Sequence, residues 1–296
     1  DSTLALLLAA KARGIELYYL EMRDLSCQQG QVYGHAARLE VFNDSNHYFT
    51  LTAREMLKLT DLDVILMRVD PPVEQMYVYT TQLLDLVEKQ GVLVVNKPGS
   101  LRDVNEKLFI NWFAQCCPPT LFSANAEEIM SFIAESKQAI LKPLHGMGGA
   151  SIFKVDAGDL NTHVIIETLT QSGQRLCCIQ RFIPEIAHGD KRILMIDGEP
   201  VPYALARIPK PFDFRGNLAA GASNEGRELT ARDREICRIV GPVLQEKGLL
   251  FVGLDVIGDY LTEVNVTSPT CIRELDKWYH LNIADQIIEK IIEKLA

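Results

Sequence analysis

Residues 251–270, FVGLDVIGDYLTEVNVTSPT, constrain this chain more than any other stretch, because they join an apolar run to three oxygen-bearing side chains across a turn. Successive strand side chains alternate between faces, so Glu263 and Asn265 point the same way and offer oxygens to one hard cation. The position of Asp255 depends on the turn. A two-residue turn at Gly258 and Asp259 pairs Asp255 with Thr262 and puts it on the opposite face; a three-residue turn containing glycine pairs it with Glu263. A Mg²⁺ site on this hairpin therefore requires the three-residue turn. The alternative is an edge hairpin whose polar face is wet. Residues 249–257 are almost continuously apolar, which suits a buried strand, and a carboxylate inside such a strand needs a partner.

The same logic extends to the preceding chain. Residues 139–155, AILKPLHGMGGASIFKV, read as strand, glycine-rich loop, strand. Gly146, Gly148 and Gly149 tolerate positive φ and let backbone N–H groups approach a phosphate, with Lys142 as the cation before the loop. A strand follows and no G-K-[ST] end is present, so this is not a Walker loop. Asp197-Gly198 between two apolar runs signals a hairpin, and Arg192 and Arg207 fall on its strands, where guanidinium forks need anionic partners. Residues 208–227 lack apolar periodicity and read as a long loop, with Arg215 and Asn217 as its polar candidates for closure over a reaction centre.

Towards the N-terminus, a helix over 4–13 and a strand over 15–22 precede residues 24–60, which carry no clear element. A strand over 63–69, a helix over 75–90 and a strand over 92–96 imply a parallel crossover, in which ligands gather at the carboxyl ends of strands, near Arg68 and Asp70. The chain starts on a helix where a parallel domain would open on a strand, so a preceding segment is expected. Asp103-x-x-Glu106 matches a capping box opening a helix to about 115, with Lys107 in its first turn either solvated or held for an anionic ligand. Further helices are expected over 125–136, 159–171 and 230–247, with one closing helix over 273–295.

Charge narrows the partners. A formal net charge of −9 and the lack of a basic block argue against nucleic acid and membrane surfaces, leaving small molecules. No apolar run approaches the roughly 18 residues of a membrane span. Lys11 and Arg13 follow the first apolar stretch, the reverse of a secretory signal. Seven cysteines without a C-x-x-C spacing fit reduced thiols and a cytoplasmic address.

Taken in order, Lys107, Lys142 with HGMGG, QRFIP, GDKR, ARIP, RGN and Asp255 with E-V-N resemble the ATP-grasp superfamily. More closely, NKPGSLRDVNEKLF, LKPLHGMGGASIF, DGEPVPYALARIP, RGNLAAG and LTEVNVTSPTCIRE resemble bacterial glutathione synthetases over essentially the whole chain. The resemblance implies an α/β fold, α+β in its ligase part, with an ATP-grasp unit behind a parallel-sheet α/β domain. The implied boundaries are 1–103 for the N-terminal substrate domain, 104–185 for the lid with the glycine-rich loop, and 186–296 for the catalytic part. It implies ligation of γ-glutamylcysteine to glycine through an acyl phosphate, with ATP as co-substrate, two Mg²⁺ ions (Mn²⁺ as substitute) and a homotetramer.

By motif matching, Asp255, Glu263 and Asn265 hold metal, while Lys107, Lys142, Gly146, Met147, Gly148 and Gly149 meet the phosphates. Gln180, Arg181, Phe182 and Ile183 edge the adenine, with Asp190 near the ribose. Arg192, Arg207, Arg215 and Asn217 serve the reaction, and Arg68, Ser268 and Thr270 the substrate. Another ATP-grasp carboxylate–amine ligase, such as one joining D-alanines or adding glutamate, and a silent ATP-binding module are the alternatives. Two departures from the family pattern stand out: His145 before GMGG, and the bulky KPFDF at 210–214.

Overall fold

The computed structural model describes residues 1–216 and 221–296. Helix α1 (Ser2–Ala12) is capped by Asp1, whose carboxylate accepts from Leu4 N at 2.7 Å. The segment that follows supplies only two strand residues, β1 (Tyr18–Tyr19). Residues 24–60, without an element in the sequence reading, contain β2 (Leu25–Gln28), β3 (Gln31–Val41), β4 (Phe49–Leu51) and β5 (Glu55–Lys58). Strand β3 pairs antiparallel with all the others in this sheet, which is how a sequence of weak local periodicity is held in strands. Strand β6 (Val64–Leu66), helix α2 (Gln75–Glu88) and strand β7 (Leu93–Val95) form the expected crossover, with β6 and β7 parallel.

The expected capping box does not form. Helix α3 (Pro98–Asp103) ends at Asp103, and the next helical segment is a 3₁₀ run over Leu108–Cys116. Asn105 opens that run, its Oδ1 accepting from Lys107 N at 3.2 Å and Leu108 N at 3.0 Å. The Glu106 carboxylate instead turns inward, where Val266 N, Thr267 N and the Thr267 hydroxyl donate to Oε1 at 2.9, 3.0 and 2.9 Å. Three donors offset the cost of burying it, and their position far along the chain is invisible to a local pattern.

Strands β8 (Thr120–Ser123), β9 (Gln138–Pro143), β10 (Phe153–Asp156) and β11 (Cys177–Arg181) form a second sheet in the order β10-β9-β11-β8. Helices α4 (Ala126–Ser136), capped by Asn125, and α5 (Thr162–Thr170) pack on it through Ile129, Ile133 and Ile166.

The third sheet, β14-β13-β12-β15-β16, contains β12 (Asp190–Ile196), β13 (Glu199–Ile208), β14 (Ser223–Glu228), β15 (Phe251–Ile257) and β16 (Tyr260–Asn265). The loop expected over 208–227 is thus shorter, because Gly226 pairs with Leu205 and leaves room for the Tyr279 ring. Helix α6 (Ala231–Glu246) has a true capping box between Thr230 and Asp233. The single closing helix is two, α7 (Ile272–Tyr279) and α8 (Ile283–Leu295), broken where His280 and Asn282 take left-handed φ of 53°. The break lets Ile283, Ile287 and Ile291 share a core with Leu6 and Ala10 of α1.

The β15–β16 turn has only two residues, since Ile257 faces Tyr260. Asp255 nevertheless faces Glu263, because the register shifts between Asp255 and Val256 and leaves Thr262 as an extra residue in β16. The Thr262 hydroxyl donates to Asp255 O at 3.1 Å. The expected pairing is present, but a bulge produces it in place of a three-residue turn.

Gly241 sits within α6 because its backbone abuts the β12–β13 turn: a Cβ there would overlap the Gly198 carbonyl oxygen. In a free helix Gly→Ala gains about 1 kcal/mol. Here Gly241→Ala should cost about 2 kcal/mol through overpacking, read by urea unfolding. A stabilised variant would contradict this contact.

Candidate functional site

A row of charges crosses the third sheet. In register, Arg192 on β12 faces Asp255 on β15, which faces Glu263 on β16; Arg207 on β13 faces Asp190 on β12. Residues directly opposite stand about 5 Å apart, so these charges meet. Arg192 Nε donates to Asp255 Oδ1 at 2.5 Å and its Nη2 to Oδ2 at 3.0 Å. Arg207 Nη2 lies 3.0 Å from Asp255 Oδ2 and also pairs with Asp190. Burial by itself would push Asp255 up, but the two guanidinium groups outweigh it and hold Asp255 below the usual carboxylate range. Asp190 shares one of those arginines, and there burial prevails, pushing it up to about 6. Burial opposes the charge of Arg207 too, yet Asp190 and Asp255 together keep it protonated.

The inward turn of Glu106 puts Lys107 against this row. Lys107 Nζ donates to Glu263 Oε1 at 2.9 Å and to Gly146 O at 3.2 Å. Burial disfavours the ammonium, but Glu263 and Glu106 raise its affinity for the proton. Asn105 Nδ2 donates to Leu144 O at 3.0 Å, so the residues beside β16 also hold the base of the glycine-rich loop. In that loop Gly146, Gly148 and Gly149 have φ of 112°, 69° and 80°. Lys142 on β9 is only 8% exposed and has no hydrogen-bond or ion-pair partner among the described residues. A buried lysine in that condition is an anion site in waiting.

These groups line one cavity of about 440 Å³ between the second and third sheets. The sequence candidates that line it are Lys107, Lys142, Gly146, Met147, Gly148, Gly149, Gln180, Arg181, Phe182, Ile183, Asp190, Arg192, Arg207, Arg215, Asp255, Glu263, Asn265, Ser268 and Thr270. Gln180 Nε2 donates to Thr120 Oγ1 at 3.2 Å, Arg181 Nη2 to the Tyr260 hydroxyl at 3.2 Å, and Lys154 Nζ sits 4.1 Å over the Phe182 ring. Arg215 is held by Asp213, with Nη2 2.8 Å from Oδ2.

One candidate among the described residues is not brought to the cavity. Arg68 is absent from its lining: Nη2 donates to Pro269 O at 2.9 Å and Nε to Thr3 Oγ1 at 3.3 Å. Asn217 lies outside the described residues. At the start of α7, just beyond Ser268 and Thr270, Ile272 N donates to Ser2 Oγ at 3.2 Å. Lining residues absent from the sequence candidates for the site include Glu106, Cys271 and Glu274. Glu106 was disguised by the capping pattern. Glu274 is marked only by following the TSPTC segment.

The hairpin suits a divalent cation. Asp255, Glu263 and Asn265 share a face, and Asn265 Nδ2 donates to Gly253 O at 3.2 Å, which leaves its amide oxygen as a donor. Two carboxylates and an amide oxygen are the hard set that Mg²⁺ takes. Among the described residues no three His, Cys, Asp or Glu side chains converge as ligands; here an amide is the third member.

Comparison with known proteins places the chain in a family. A family model described as "Prokaryotic glutathione synthetase, ATP-grasp domain" matches residues 106–280, and "Prokaryotic glutathione synthetase, N-terminal domain" matches residues 1–102. The chain is 54% identical over 296 residues to a glutathione synthetase of Coxiella burnetii, covering all of this chain and 92% of the relative. It is 55% identical to that of Pseudomonas aeruginosa, covering all of this chain and 93% of the relative. Solved structures share the fold at lower identity. The ATP-grasp ligase PsnB with minimal precursor, Mg and ADP has a TM-score of 0.65 at 15% identity, over 99% of this chain and 94% of that one. The D-cycloserine synthetase DcsG has a TM-score of 0.64 at 13% identity, over 97% and 93%.

Asp255→Asn should lower stability by about 3 kcal/mol near neutral pH, because two buried guanidinium groups lose their shared carboxylate. Asp255 titrates below its unfolded value of 3.8, so its contribution is complete above that pH and is lost as the pH falls through the lower, folded value. The gap between wild type and variant, measured by urea unfolding, therefore narrows on acidification from about pH 5 to about pH 2. A gap constant with pH would contradict the assignment.

Proposed function

This chain belongs to the prokaryotic glutathione synthetase family, and from that premise we propose how its residues carry out the reaction. The chain is an ATP-dependent ligase that makes glutathione, and ATP and a divalent metal belong to the family's chemistry. The observation that carries the reading is that one cavity is lined by Lys142 and the glycine-rich loop from the second sheet and by Asp255, Glu263 and Asn265 from the third, with Lys107 bridging Glu263 and Gly146 O.

In the proposed reaction the cysteinyl carboxylate of γ-glutamylcysteine attacks the γ-phosphorus of ATP, forming an acyl phosphate and releasing ADP. The glycine amine then attacks the acyl carbon, giving up a proton, and phosphate leaves from the tetrahedral intermediate. No protein nucleophile is needed, so the chain's work is positioning and neutralisation of charge. Lys107 and Lys142 hold the phosphates with the backbone N–H groups of Gly146, Met147, Gly148 and Gly149. The backbone and side chains of 180–183 edge the adenine, and Asp190 faces the ribose. Arg192 and Arg207 stabilise oxyanion charge at the acyl carbon, an arrangement strongest where water is excluded. Arg215, which lines the cavity, helps to exclude the water that would hydrolyse the acyl phosphate. Asp255, Glu263 and Asn265 would hold two Mg²⁺ ions, or Mn²⁺, whose chemistry when bound is to neutralise phosphate oxygens.

The domain boundaries 1–103, 104–185 and 186–296, a cytoplasmic address and a homotetramer belong to the same proposal. Free thiols at all seven cysteines support the address, and no helix among the described residues is long and apolar enough to cross a membrane.

Phosphate release with ATP, Mg²⁺ and γ-glutamylcysteine should depend on glycine and match glutathione formed one for one; turnover indifferent to glycine would sink the reading. Glu263→Gln should raise the Mg²⁺ concentration for half-maximal rate by on the order of tenfold, since ligand charge sets the site's affinity. Calorimetric Mg²⁺ titration checks this independently of turnover. If the metal dependence were unchanged while thermal stability collapsed, Glu263 would be structural.

A further inference from the structure

Gln180 on β11 lines the cavity, is only 3% exposed, and uses one half of its side-chain amide among the described residues. Nε2 donates to Thr120 Oγ1 at 3.2 Å, while Oε1 has no protein partner there. A buried amide oxygen in that condition is completed by a donor on a ligand. Which half of the amide turns to the cavity is settled by its neighbour. Gln180 and Thr120 stand opposite each other on β11 and β8, so their side chains share a face.

Thr120 is fixed in turn by the two prolines before it. Its hydroxyl donates to Pro118 O at 2.8 Å, and Pro119 O accepts from Arg181 N at 3.0 Å. A hydroxyl has one hydrogen, and with that hydrogen committed to Pro118 O the Thr120 oxygen can only accept. It therefore takes the NH2 of Gln180, because the opposite orientation would set two acceptors against each other. The amide cannot flip without releasing Pro118 O. The chain of bonds from Pro118 through Thr120 ends in a carbonyl oxygen left for the cavity.

That oxygen belongs to the segment that edges the base in the proposed reaction. Backbone donors of the segment are partly spent, Arg181 N on Pro119 O and Phe182 N on Gln138 O, each at 3.0 Å. Purines differ in sign at the six-position: adenine carries an NH2 donor there and guanine a carbonyl acceptor. A fixed acceptor rewards the amino group and opposes a keto oxygen.

We propose that Thr120 is a positioning residue that sets the nucleobase preference, holding the Gln180 amide so that its oxygen selects a 6-amino purine over a 6-oxo purine. The inference rests on the reading of residues 180–183 as the edge of the adenine pocket. Thr120 is absent from the cavity lining and acts through Gln180.

The test compares ATP, inosine triphosphate and the triphosphate of purine riboside, which has only hydrogen at the six-position, on wild type, Thr120→Val and Thr120→Ser. Wild type should favour ATP in kcat/KM over inosine triphosphate by on the order of 100-fold and over the purine riboside nucleotide by about 10-fold. Thr120→Val keeps the shape and removes the hydroxyl. It should lose about five- to tenfold of the preference for ATP over inosine triphosphate, with KM raised for the first and lowered for the second, because the freed amide can turn its NH2 to a keto oxygen. KM for the purine riboside nucleotide, γ-glutamylcysteine and glycine should stay unchanged. Thr120→Ser keeps the hydroxyl and should retain the wild-type order. Calorimetric titration of each nucleotide without the dipeptide gives the same ranking free of turnover. A valine variant that weakens all three nucleotides by one factor, or leaves the preference intact, overturns the inference, as does a wild type indifferent to the six-position. Nucleotide selectivity in calorimetry without glycine-dependent turnover would remove the proposed reaction and leave the inference standing.

Discussion

Asp255 is held by two guanidinium groups inside a sheet, and the rest of the site depends on that contact. A carboxylate at 4% exposure is tolerated only because Arg192 and Arg207 reach it from adjacent strands, and those arginines are tolerated only because Asp255 and Asp190 answer them. Lys107 and Glu263 extend the row, so three cations and three carboxylates cancel across the floor of the cavity. A matched set of this kind stays ordered while ligand phosphates and carboxylates arrive. It also fixes the register: a one-residue slip of β16 would put Glu263 on the opposite face and leave Asp255 and Lys107 without their neighbour.

The segment 105–107 carries that order to the glycine-rich loop. Asn105 holds Leu144 O, Glu106 holds Val266 N and Thr267 N, and Lys107 bridges Glu263 and Gly146 O. Three consecutive residues thus tie the end of β16 to the base of the glycine-rich loop. Positional accuracy of this kind is what phosphoryl transfer requires, since the protein contributes geometry and charge in place of covalent chemistry.

Much of this was readable from local pattern. The apolar run at 249–257, the Asp-Gly hairpin at 197–198, the strand–loop–strand around HGMGG and the parallel β6–β7 pair all depend on interactions within short windows, and they stand where the sequence puts them. The antiparallel sheet over 25–58 did not show itself, because β3 is stabilised by neighbours on both edges more than by its own alternation. Glu106 looked like half of a capping box because its real partners lie 160 residues away. Arg68 looked like a ligand-facing cation at a strand end, and only the packed chain reveals that Pro269 O and Phe251 take it.

The sequence by itself determined which chemistry the chain possesses: hard oxygen donors spaced two apart, lysines beside a glycine-rich loop, and arginines on apolar strands. Residue type and short spacing are sufficient for that, since alternation along a strand is a local property. Tertiary structure decided how those groups face one another. Thr262, an extra residue in β16, turns Asp255 towards Glu263 across an ordinary two-residue turn. The break at His280–Asn282 lets α8 pack on α1, and the contacts of Arg68 with Pro269 O and the Phe251 ring keep that cation out of the cavity lining. Each of these outcomes is set by burial and by partners remote in the chain, whose energies exceed the local preferences that sequence pattern records.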